Sequence, residues 1–349
     1  MASKTAIPSA APAPSVCGRR FFISGVELRL ETDSDEALTA GTTLLEHFGL
    51  ERGPVSTVEG PPVQLRVTRR PPSPPSPEAE VVARHFNLVV RSAGDVLFID
   101  DGRAAVRIDL AAGDAVLHTA AWPTGPAAGR PYLIVVYTLL TLLRRRGLVP
   151  LHAAAVERAG EGVLMVAPSG SGKSTLSLVL LQDGWNVVSD DSVLLHLDAF
   201  GHVSARGLRR DLFLRTPEDD FPELVDLWTS SPELDRGKRR LVIERRFPDR
   251  VTRTCDPSCI LFPEIKDAAT SRLVPCPTDE VLFRLLDHST IADLEPGAAR
   301  SHIGVLGALT RQTRAFVLEA ARDLLDDPGS LDRLLAPAMA RRTTAGGAT

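Results

Sequence analysis

The chain has 349 residues, of which 44% are hydrophobic, and this is enough material for two domains with buried cores. Its 40 basic and 44 acidic residues give a net charge of −4, which excludes the strongly basic surface that nucleic-acid-binding proteins carry. We therefore expect a globular protein without a nucleic-acid partner.

The first part of the chain predicts a disordered lead-in followed by a small α+β domain. Residues 1–18 are rich in alanine, proline and serine and lack the apolar segment of a signal peptide. The domain is predicted to span 19–147. Its first elements are a strand at 20–30, a helix at 34–48 capped by Asp33 or Ser34, and a strand at 63–68.

The rest of this domain predicts an antiparallel β-meander. Residues 69–77 are proline-rich and are typical of a linker or an exposed loop. Residues 86–121 alternate apolar segments with turn residues, and a tight turn is expected at Asp101-Gly102. This part carries no catalytic residues. Recognition of an acceptor chain by an exposed sheet edge, or simple packing against the second domain, both remain open.

Residues 132–143 form the most apolar run of the chain. The run is too short to cross a bilayer, and three arginines follow it, so we expect a buried helix with cations at its C-terminal end. No transmembrane segment is predicted and a cytoplasmic location is expected, although attachment of this helix to a membrane surface stays open.

The segment Ala167-Pro-Ser-Gly-Ser-Gly-Lys-Ser-Thr175 fits the phosphate-binding loop pattern, with alanine in place of its first glycine. Glycine permits the positive φ angles that let backbone N–H groups surround a polyphosphate. Lys173 can reach the outer phosphates, and the Ser174 hydroxyl suits a magnesium ion. ATP and Mg²⁺ are therefore the expected cofactors. The predicted nucleotide-binding residues are Ser169, Gly170, Ser171, Gly172, Lys173, Ser174 and Thr175.

The flanks of this loop suit a phosphate site. Residues 162–167 predict a buried strand and residues 174–183 a helix that ends at Gly184, so the loop lies at a helix N-terminus, where the helix dipole favours anions.

Residues 185–195 predict a strand, the pair Asp190-Asp191, and a second apolar run. Two carboxylates at a strand end can divide the binding of magnesium and the removal of a proton from an attacking hydroxyl. A solvated Asp-Asp turn is the structural alternative.

This arrangement resembles the catalytic domain of HPr kinase/phosphorylase and related serine kinases, including those that phosphorylate lasso-peptide precursors. The resemblance is carried by the loop at 169–174, by Asp190-Asp191, and by His152 before them. It implies a P-loop kinase core of the HPr kinase C-terminal-domain type over 148–335. It also implies that Asp190 is the catalytic base, that Asp191 binds magnesium with Ser174, and that His152 supports the base. From the residues alone, His152 could be an ordinary core histidine.

The resemblance fades beyond residue 195. The family has a later Glu-Ile-Arg-Gly-Leu stretch with a metal-binding glutamate, whereas this chain reads Ser204-Ala-Arg-Gly-Leu208, with serine in the place of that glutamate. The third metal ligand therefore has no candidate. The difference also argues against HPr as the acceptor and against the hexameric regulation of the parent family. A homo-oligomer of another kind stays open.

Positive charge around the transferred phosphoryl group is expected from the basic segment 235–240. Lys238 and Arg240 are the candidate phosphate clamp, and a solvated basic loop is the alternative. Weaker candidates for the same role are Arg206, Arg209, Arg210, Arg245 and Arg246.

The C-terminal part predicts a strand at 258–262, a helix at 277–286, a mostly helical stretch at 298–325 and a disordered tail at 336–349. Four cysteines occur in the chain, and the sequence shows no fourth ligand that would complete a zinc site, so reduced thiols are expected. These are Cys17, Cys255, Cys259 and Cys276.

Together the sequence predicts an α/β kinase that transfers the γ-phosphoryl group of ATP to a hydroxyl, with a serine of a peptide or protein as the expected acceptor. A small-metabolite kinase and an ATP-binding regulator or chaperone without transfer chemistry are the alternatives. The identity of the acceptor, and the use of pyrophosphate or of reverse phosphorolysis, are left undetermined by the sequence.

Overall fold

The described residues fold as a mixed α/β protein with two large sheets and one small sheet. Residues 1–16 and 340–349, where disorder was predicted, lie outside the residues that the structure describes. The computed structural model describes residues 17–47, 50, 60–85, 87–120, 133–208, 211–214, 221–231, 233–235, 238–289, 298–327 and 329–339.

The described residues of the first half form eight strands and two helices. The strands are β1 (Cys17–Ile23), β2 (Val26–Thr32), β3 (Val63–Thr68), β4 (Glu80–His85), β5 (Leu88–Ala93), β6 (Val96–Asp100), β7 (Ala104–Asp109) and β8 (Asp114–Thr119). The helices are α1 (Asp35–His47) and α2 (Leu133–Arg144).

These eight strands form one sheet in the order β1-β2-β3-β8-β7-β6-β5-β4. The predicted meander is confirmed, since β4 to β8 pair antiparallel in sequence order. The sheet as a whole is mixed, because β3 pairs parallel with both β2 and β8. Its apolar face packs against α2 in one core, which also takes in Leu148, Leu194 and Leu208 from the second half. The division into two domains near residue 147 stays a prediction.

The prediction of a single strand at 20–30 is wrong, because the segment is a hairpin of β1 and β2. The chain reverses at Ser24-Gly25, where both residues have positive φ angles of 50° and 85°. A two-residue turn of this kind matches the twist of paired strands. The apolar residues on both sides concealed the turn in the sequence.

Three other elements of this half confirm their predictions. The helix α1 begins after Ser34, whose Oγ accepts the N–H of Ala37 at 3.2 Å as an N-cap does. The turn between β6 and β7 lies at 101–103, where Gly102 has a φ of 81° and the Asp101 carboxylate accepts the Ala104 N–H at 2.7 Å. The helix α2 is buried as predicted. None of the described helices has the length and apolarity that a membrane crossing requires.

Where the structure describes the second half, it has twelve strands and seven helices. The strands are β9 (Leu148–Leu151), β10 (Ala153–Arg158), β11 (Glu161–Val166), β12 (Asn186–Ser189), β13 (Val193–Leu197), β14 (Val203–Gly207), β15 (Leu212–Leu214), β16 (Glu233–Asp235), β17 (Lys238–Leu241), β18 (Thr254–Ile265), β19 (Arg272–Pro275) and β20 (Arg314–Ala320). The helices are α3 (Lys173–Gln182), α4 (Val225–Thr229), α5 (Ile243–Arg246), α6 (Thr278–Asp287), α7 (Ala299–Gln312), α8 (Asp323–Asp326) and α9 (Ser330–Met339).

The second large sheet brings several strand ends to one edge. Its order is β12-β10-β11-β18-β14-β13-β9, with β20 and β19 attached beside β18. Because β10 pairs antiparallel with both β11 and β12, these two strands run in the same direction. The strands β18 and β20 run parallel to β11 as well. Ligands of open α/β sheets bind outside the carboxyl ends of such strands.

Two C-terminal predictions need correction. The stretch at 298–325 is only partly helical, because α7 ends at Gln312 and residues 314–320 form β20. The alternate residues Phe316, Leu318 and Ala320 are buried, which is the strand period, and the extended Thr313 separates the strand from the helix. Residues 336–339 belong to α9 rather than to a disordered tail, since Leu335 and Ala338 are buried against the α3 face of the sheet.

The four thiols form no disulfide. Cys255 and Cys259 lie in β18 but in different cores, on opposite faces of the sheet. Burial raises the pKa of both thiols to about 12, so both stay protonated near neutral pH.

Close packing fixes the residue at position 207 in β14. A Cβ on Gly207 would lie 2.0 Å from the carbonyl oxygen of Val188 in β12. We expect Gly207→Ala to lower the free energy of unfolding by about 1–3 kcal/mol, because the backbone of β12 must move away. Thermal and urea unfolding measure the loss. The matched control is Gly304→Ala in α7, where a Cβ meets nothing within 4 Å, and this change should raise stability by about 0.5–1 kcal/mol. Equal stability of the two variants would contradict the prediction.

Candidate active site

The glycine-rich segment connects β11 to α3 at the carboxyl edge of the second sheet. Gly170 and Gly172 adopt φ angles of 91° and 87°, which other residues rarely tolerate. Gly172 is the N-cap of α3, and no side chain caps this helix end. The first N–H groups of α3 can therefore serve an anion, which the helix dipole also favours.

The hydroxyl residues of the loop differ in their surroundings. Ser169 is exposed, whereas Ser171 donates its Oγ hydrogen to the Pro168 carbonyl at 2.8 Å and so closes the loop on itself. Ser174 and Thr175 lie in the first turn of α3 and are half-buried. Ser174 is the one that reaches the acidic pair, because its Oγ donates to Asp190 Oδ2 at 3.0 Å.

The ammonium group of Lys173 is held at the base of the loop. The residue is only 6% exposed, and its Nζ donates to the carbonyl oxygens of Ala167 at 2.6 Å and Pro168 at 3.0 Å. The same Nζ lies 3.2 Å from Nε2 of His152. The cation is thus positioned beneath the loop, where it can add its charge to that of the helix N-terminus.

The contacts of His152 define its tautomer. An ammonium group has only hydrogens to offer, so Nε2 must accept from Lys173 and the ring proton must lie on Nδ1. Nδ1 is 2.8 Å from the carbonyl oxygen of Asp191 and donates to it, and it lies 3.5 Å from Oδ1 of the same residue. His152 is therefore a neutral bridge between the loop lysine and the acidic pair.

Asp190 is the most deeply buried acid of the site, at 2% exposure. Its Oδ2 accepts from Ser174 Oγ and, at 3.1 Å, from the backbone N–H of Phe213 in β15. Among the described atoms its Oδ1 is buried and has no hydrogen-bond partner. Burial and the neighbouring charge of Asp191 raise the pKa of Asp190 to about 7, against the opposing effect of Ser174, Phe213 and Lys173.

Asp191 is the open member of the pair, with 41% of its side chain exposed. Its carboxylate, the Oδ1 of Asp190 and the Ser174 hydroxyl supply the hard oxygen atoms that Mg²⁺ prefers. The described residues contain no group of three or more His, Cys, Asp or Glu side chains that could hold a metal ion. A magnesium ion needs no such cage when substrate phosphates complete its shell, so the donor set fits an ion bound together with a polyphosphate.

The contacts connect the acidic pair differently from the expectation. The family resemblance connects His152 to Asp190 and Ser174 to Asp191, whereas here His152 contacts Asp191 and Ser174 contacts Asp190. Any support that His152 gives Asp190 therefore passes through the backbone of the acidic pair. The roles of the two carboxylates remain predictions.

The structure describes the side chain of only one of the two candidate phosphate-clamp residues, Arg240. Arg240 lies directly opposite Phe213 in the pairing of β15 with β17, and the backbone amide of Phe213 is the one that binds Asp190. Its guanidinium forms an ion pair with Asp211. Lys238 begins β17, and its side chain lies outside the described residues.

Of the five weaker clamp candidates, the structure describes three. Arg206 donates to the Ser24 carbonyl at 2.5 Å and lies 3.2 Å from His196 Nδ1, which ties it to the β1–β2 turn. Arg245 and Arg246 belong to α5 and are exposed. Residues 209–210, both arginines, lie outside the described residues.

Two contributors were absent from the sequence prediction. The Phe213 N–H that donates to Asp190 is a backbone group, so no residue type in the sequence indicates it. His288 follows α6, and its carbonyl accepts the backbone N–H of His152 at 2.9 Å, with the two rings 6.3 Å apart. Burial, His152 and Lys173 lower the pKa of His288. Only the fold brings this residue, far along the chain, to the site.

Comparison with known proteins gives similarities to a family model and to solved structures. Residues 132–208, which contain His152, the loop and the acidic pair, match the family model described as SynChlorMet cassette protein ScmC. A solved structure of the Hpr(Ser) kinase/phosphatase from Coxiella burnetii matches at 12% identity over 53% of this chain and 93% of that chain, with a TM-score of 0.30. No curated protein matches the sequence. What the site can do is therefore judged from its own geometry.

The raised pKa of Asp190 predicts a pH-dependent effect of Asp190→Asn on stability. In the folded protein the pKa is about 7, against an ordinary value of 3.8, so Asp190 favours folding below about pH 4 and this contribution is lost as pH rises to 7. Without metal or nucleotide, the variant should exceed the parent in stability by about 2–4 kcal/mol at pH 8, and the difference should shrink toward pH 4.

Thermal unfolding of both proteins across this pH range measures the difference. The control is Asp249→Asn at an exposed turn, which removes the same charge from a solvated position. If the difference in stability between Asp190→Asn and the parent does not vary with pH, Asp190 is not a buried carboxyl with a raised pKa.

Proposed function

We propose that the chain is a magnesium-dependent phosphotransferase that moves the γ-phosphoryl group of ATP to a hydroxyl, with a serine of a peptide or protein as the acceptor. One observation carries the proposal: the hydroxyl of Ser174 in the phosphate loop lies 3.0 Å from the buried carboxylate of Asp190. A carboxylate that contacts the loop is within reach of whatever the loop holds.

The loop supplies the binding of the triphosphate. The N–H groups at the start of α3 and the ammonium of Lys173 place positive charge where the phosphates would lie. Catalysis of phosphoryl transfer consists largely of such positioning and charge stabilisation, because the transferred group needs little covalent help.

Magnesium would be held by Ser174 and Asp191, whose oxygen atoms suit it and whose side chains are half-buried and partly open. When bound, the ion neutralises charge on the β- and γ-phosphates. The buried Oδ1 of Asp190, without a partner among the described atoms, supports a further positive group or proton arriving beside it.

Asp190 acts as the base in the proposed reaction. As the acceptor oxygen forms its bond to the γ-phosphorus, the bond from that phosphorus to the β–γ bridging oxygen breaks and ADP leaves. The proton of the acceptor hydroxyl passes to Oδ1 of Asp190. A carboxyl with a pKa of about 7 is suited to take up a proton near neutral pH.

His152 and the basic strand have supporting roles. Because His152 accepts from Lys173 and donates to the Asp191 carbonyl, it fixes the distance between the loop cation and the acidic pair. Arg240, with Lys238, is proposed as the clamp on the transferred group. Its guanidinium would exchange the carboxylate of Asp211 for a phosphate when nucleotide binds.

Asp190→Asn tests the chemistry. With labelled ATP and candidate serine-containing peptides, we expect kcat to fall about 10²- to 10⁴-fold, because a proton acceptor is lost, while ATP binding is retained. The control Asp249→Asn should keep the parent rate. Transfer by Asp190→Asn at the parent rate would contradict the assignment of Asp190 as the base.

The rival functions give different outcomes in the same assay. Transfer to small metabolites and to none of the peptides would identify a metabolite kinase. ATP binding by the parent protein without any phosphorylated product would identify a regulator or chaperone.

Asp191→Asn tests the division of work within the acidic pair. Since Asp191 is the proposed metal ligand, we expect the magnesium concentration for half-maximal activity to rise about 10-fold or more, with activity recovering at high magnesium. Titration of activity with magnesium for both single variants measures this. If Asp190→Asn raises the magnesium requirement and Asp191→Asn lowers kcat at saturating magnesium, the two roles are exchanged.

A further inference from the structure

An exposed isoleucine stands beside the phosphate loop. Ile265, the last residue of β18, is 68% exposed, which places it among the most exposed large apolar residues of the described chain. Its Cδ1 lies 4.0 Å from the position that a Cβ on Gly172 would occupy. The side chain therefore adjoins the N-cap residue of α3.

The period of the strand shows which face Ile265 occupies. From residue 259 to 265, β18 pairs with β20 without a register shift, so alternate residues share a face. Cys259 and Leu261 lie in the core that contains the leucines of α3. Ile265 has the same parity and continues that face beyond the end of the core, toward the N-terminus of α3.

The strand order separates Ile265 from the acidic pair. Reading across the sheet, β12 with Asp190 lies on one side of β11 and its loop, and β18 with Ile265 lies on the other. Adjacent strands are about 4.8 Å apart, so the two residues flank the loop at opposite sides. This geometry defines a direction across the site.

The direction matters because attacking and leaving oxygens are roughly in line across the transferred phosphorus. If the acceptor hydroxyl is deprotonated at Asp190, the leaving nucleotide must extend away from Asp190, over the loop and toward β18. The nucleoside is then the part of the ligand that reaches Ile265, and the acceptor is not.

We propose that Ile265 is the apolar contact surface for the nucleoside of the bound nucleotide. The inference rests on the proposed function, since it assumes that the loop holds a nucleoside triphosphate. Its neighbours Glu264 and Lys266 point to the other face and pair with each other at 2.9 Å. An aliphatic surface contacts any base through its flat face, so the contact favours nucleotides over bare phosphates without selecting one base.

Ile265→Ser tests the contact with three probes: Mg-ATP, Mg-GTP and magnesium tripolyphosphate, which has the phosphates but no nucleoside. We expect the variant to bind both nucleotides about 5- to 10-fold more weakly, because an apolar surface is lost. Tripolyphosphate binding should stay within about twofold of the parent. Calorimetric or competition titrations measure all three affinities.

Two control variants complete the design. Ile265→Val keeps an apolar β-branched side chain and should retain nearly the parent affinity for each probe. Ile303→Ser removes an exposed isoleucine from α7 and should alter none of the affinities. Unfolding curves of Ile265→Ser should match the parent, because so exposed a side chain contributes little to the core.

The outcomes separate this inference from the proposed function. Parent protein that binds neither ATP nor tripolyphosphate overturns the proposed function and this inference with it. Parent protein that binds ATP, together with Ile265→Ser that binds it equally well, overturns the inference alone. An equal loss for ATP and tripolyphosphate would show a disturbed loop, and a change confined to the acceptor KM would place Ile265 on the acceptor side; either result overturns it too.

Discussion

The site depends on one buried carboxylate, that of Asp190. An ionised carboxylate withdrawn from water is costly unless hydrogen bonds and positive charge replace its hydration. Here one oxygen has two donors, Ser174 and the Phe213 amide, while the other has none among the described atoms. Lys173, whose charge lowers the pKa of Asp190, gives its hydrogens to loop carbonyls and His152. Such a carboxylate binds a proton or a cation readily. The loop and the acidic pair can therefore act in the same reaction.

The parallel course of β11 and β12 is what makes this contact available. Their carboxyl ends lie at one edge because β10 runs antiparallel between them, and the start of β10 brings His152 to the same edge. Three separate strand ends thus supply the loop, the acidic pair and the histidine. The contacts of Lys173 and Asp191 with His152 then hold these ends together across the width of the sheet.

Local patterns in the sequence predicted much of this. The glycines, the lysine and the flanking apolar runs placed β11, the loop and α3 correctly, because each pattern reports a local requirement of backbone or helix. The turn at Ser24-Gly25 was missed because apolar residues lie on both sides of it, and the strand β20 was missed because apolar content alone does not separate strand from helix. The Phe213 amide and His288 could not be found, since a backbone donor and a contact remote in sequence leave no local pattern.

The segment Arg206-Gly207-Leu208 has a packing role in this structure. Ser204, in the place of the family's glutamate, pairs with His196, three residues or about 10 Å along β14 from Gly207. Gly207 itself fits against the Val188 carbonyl, and Leu208 donates its N–H to the Ser192 carbonyl at 3.1 Å, next to the acidic pair. Arg206 reaches the Ser24 carbonyl in the first sheet. The segment therefore ties the turn that carries Asp190 and Asp191 to the β1–β2 hairpin, and this packing requires its glycine whether or not a metal ligand precedes it.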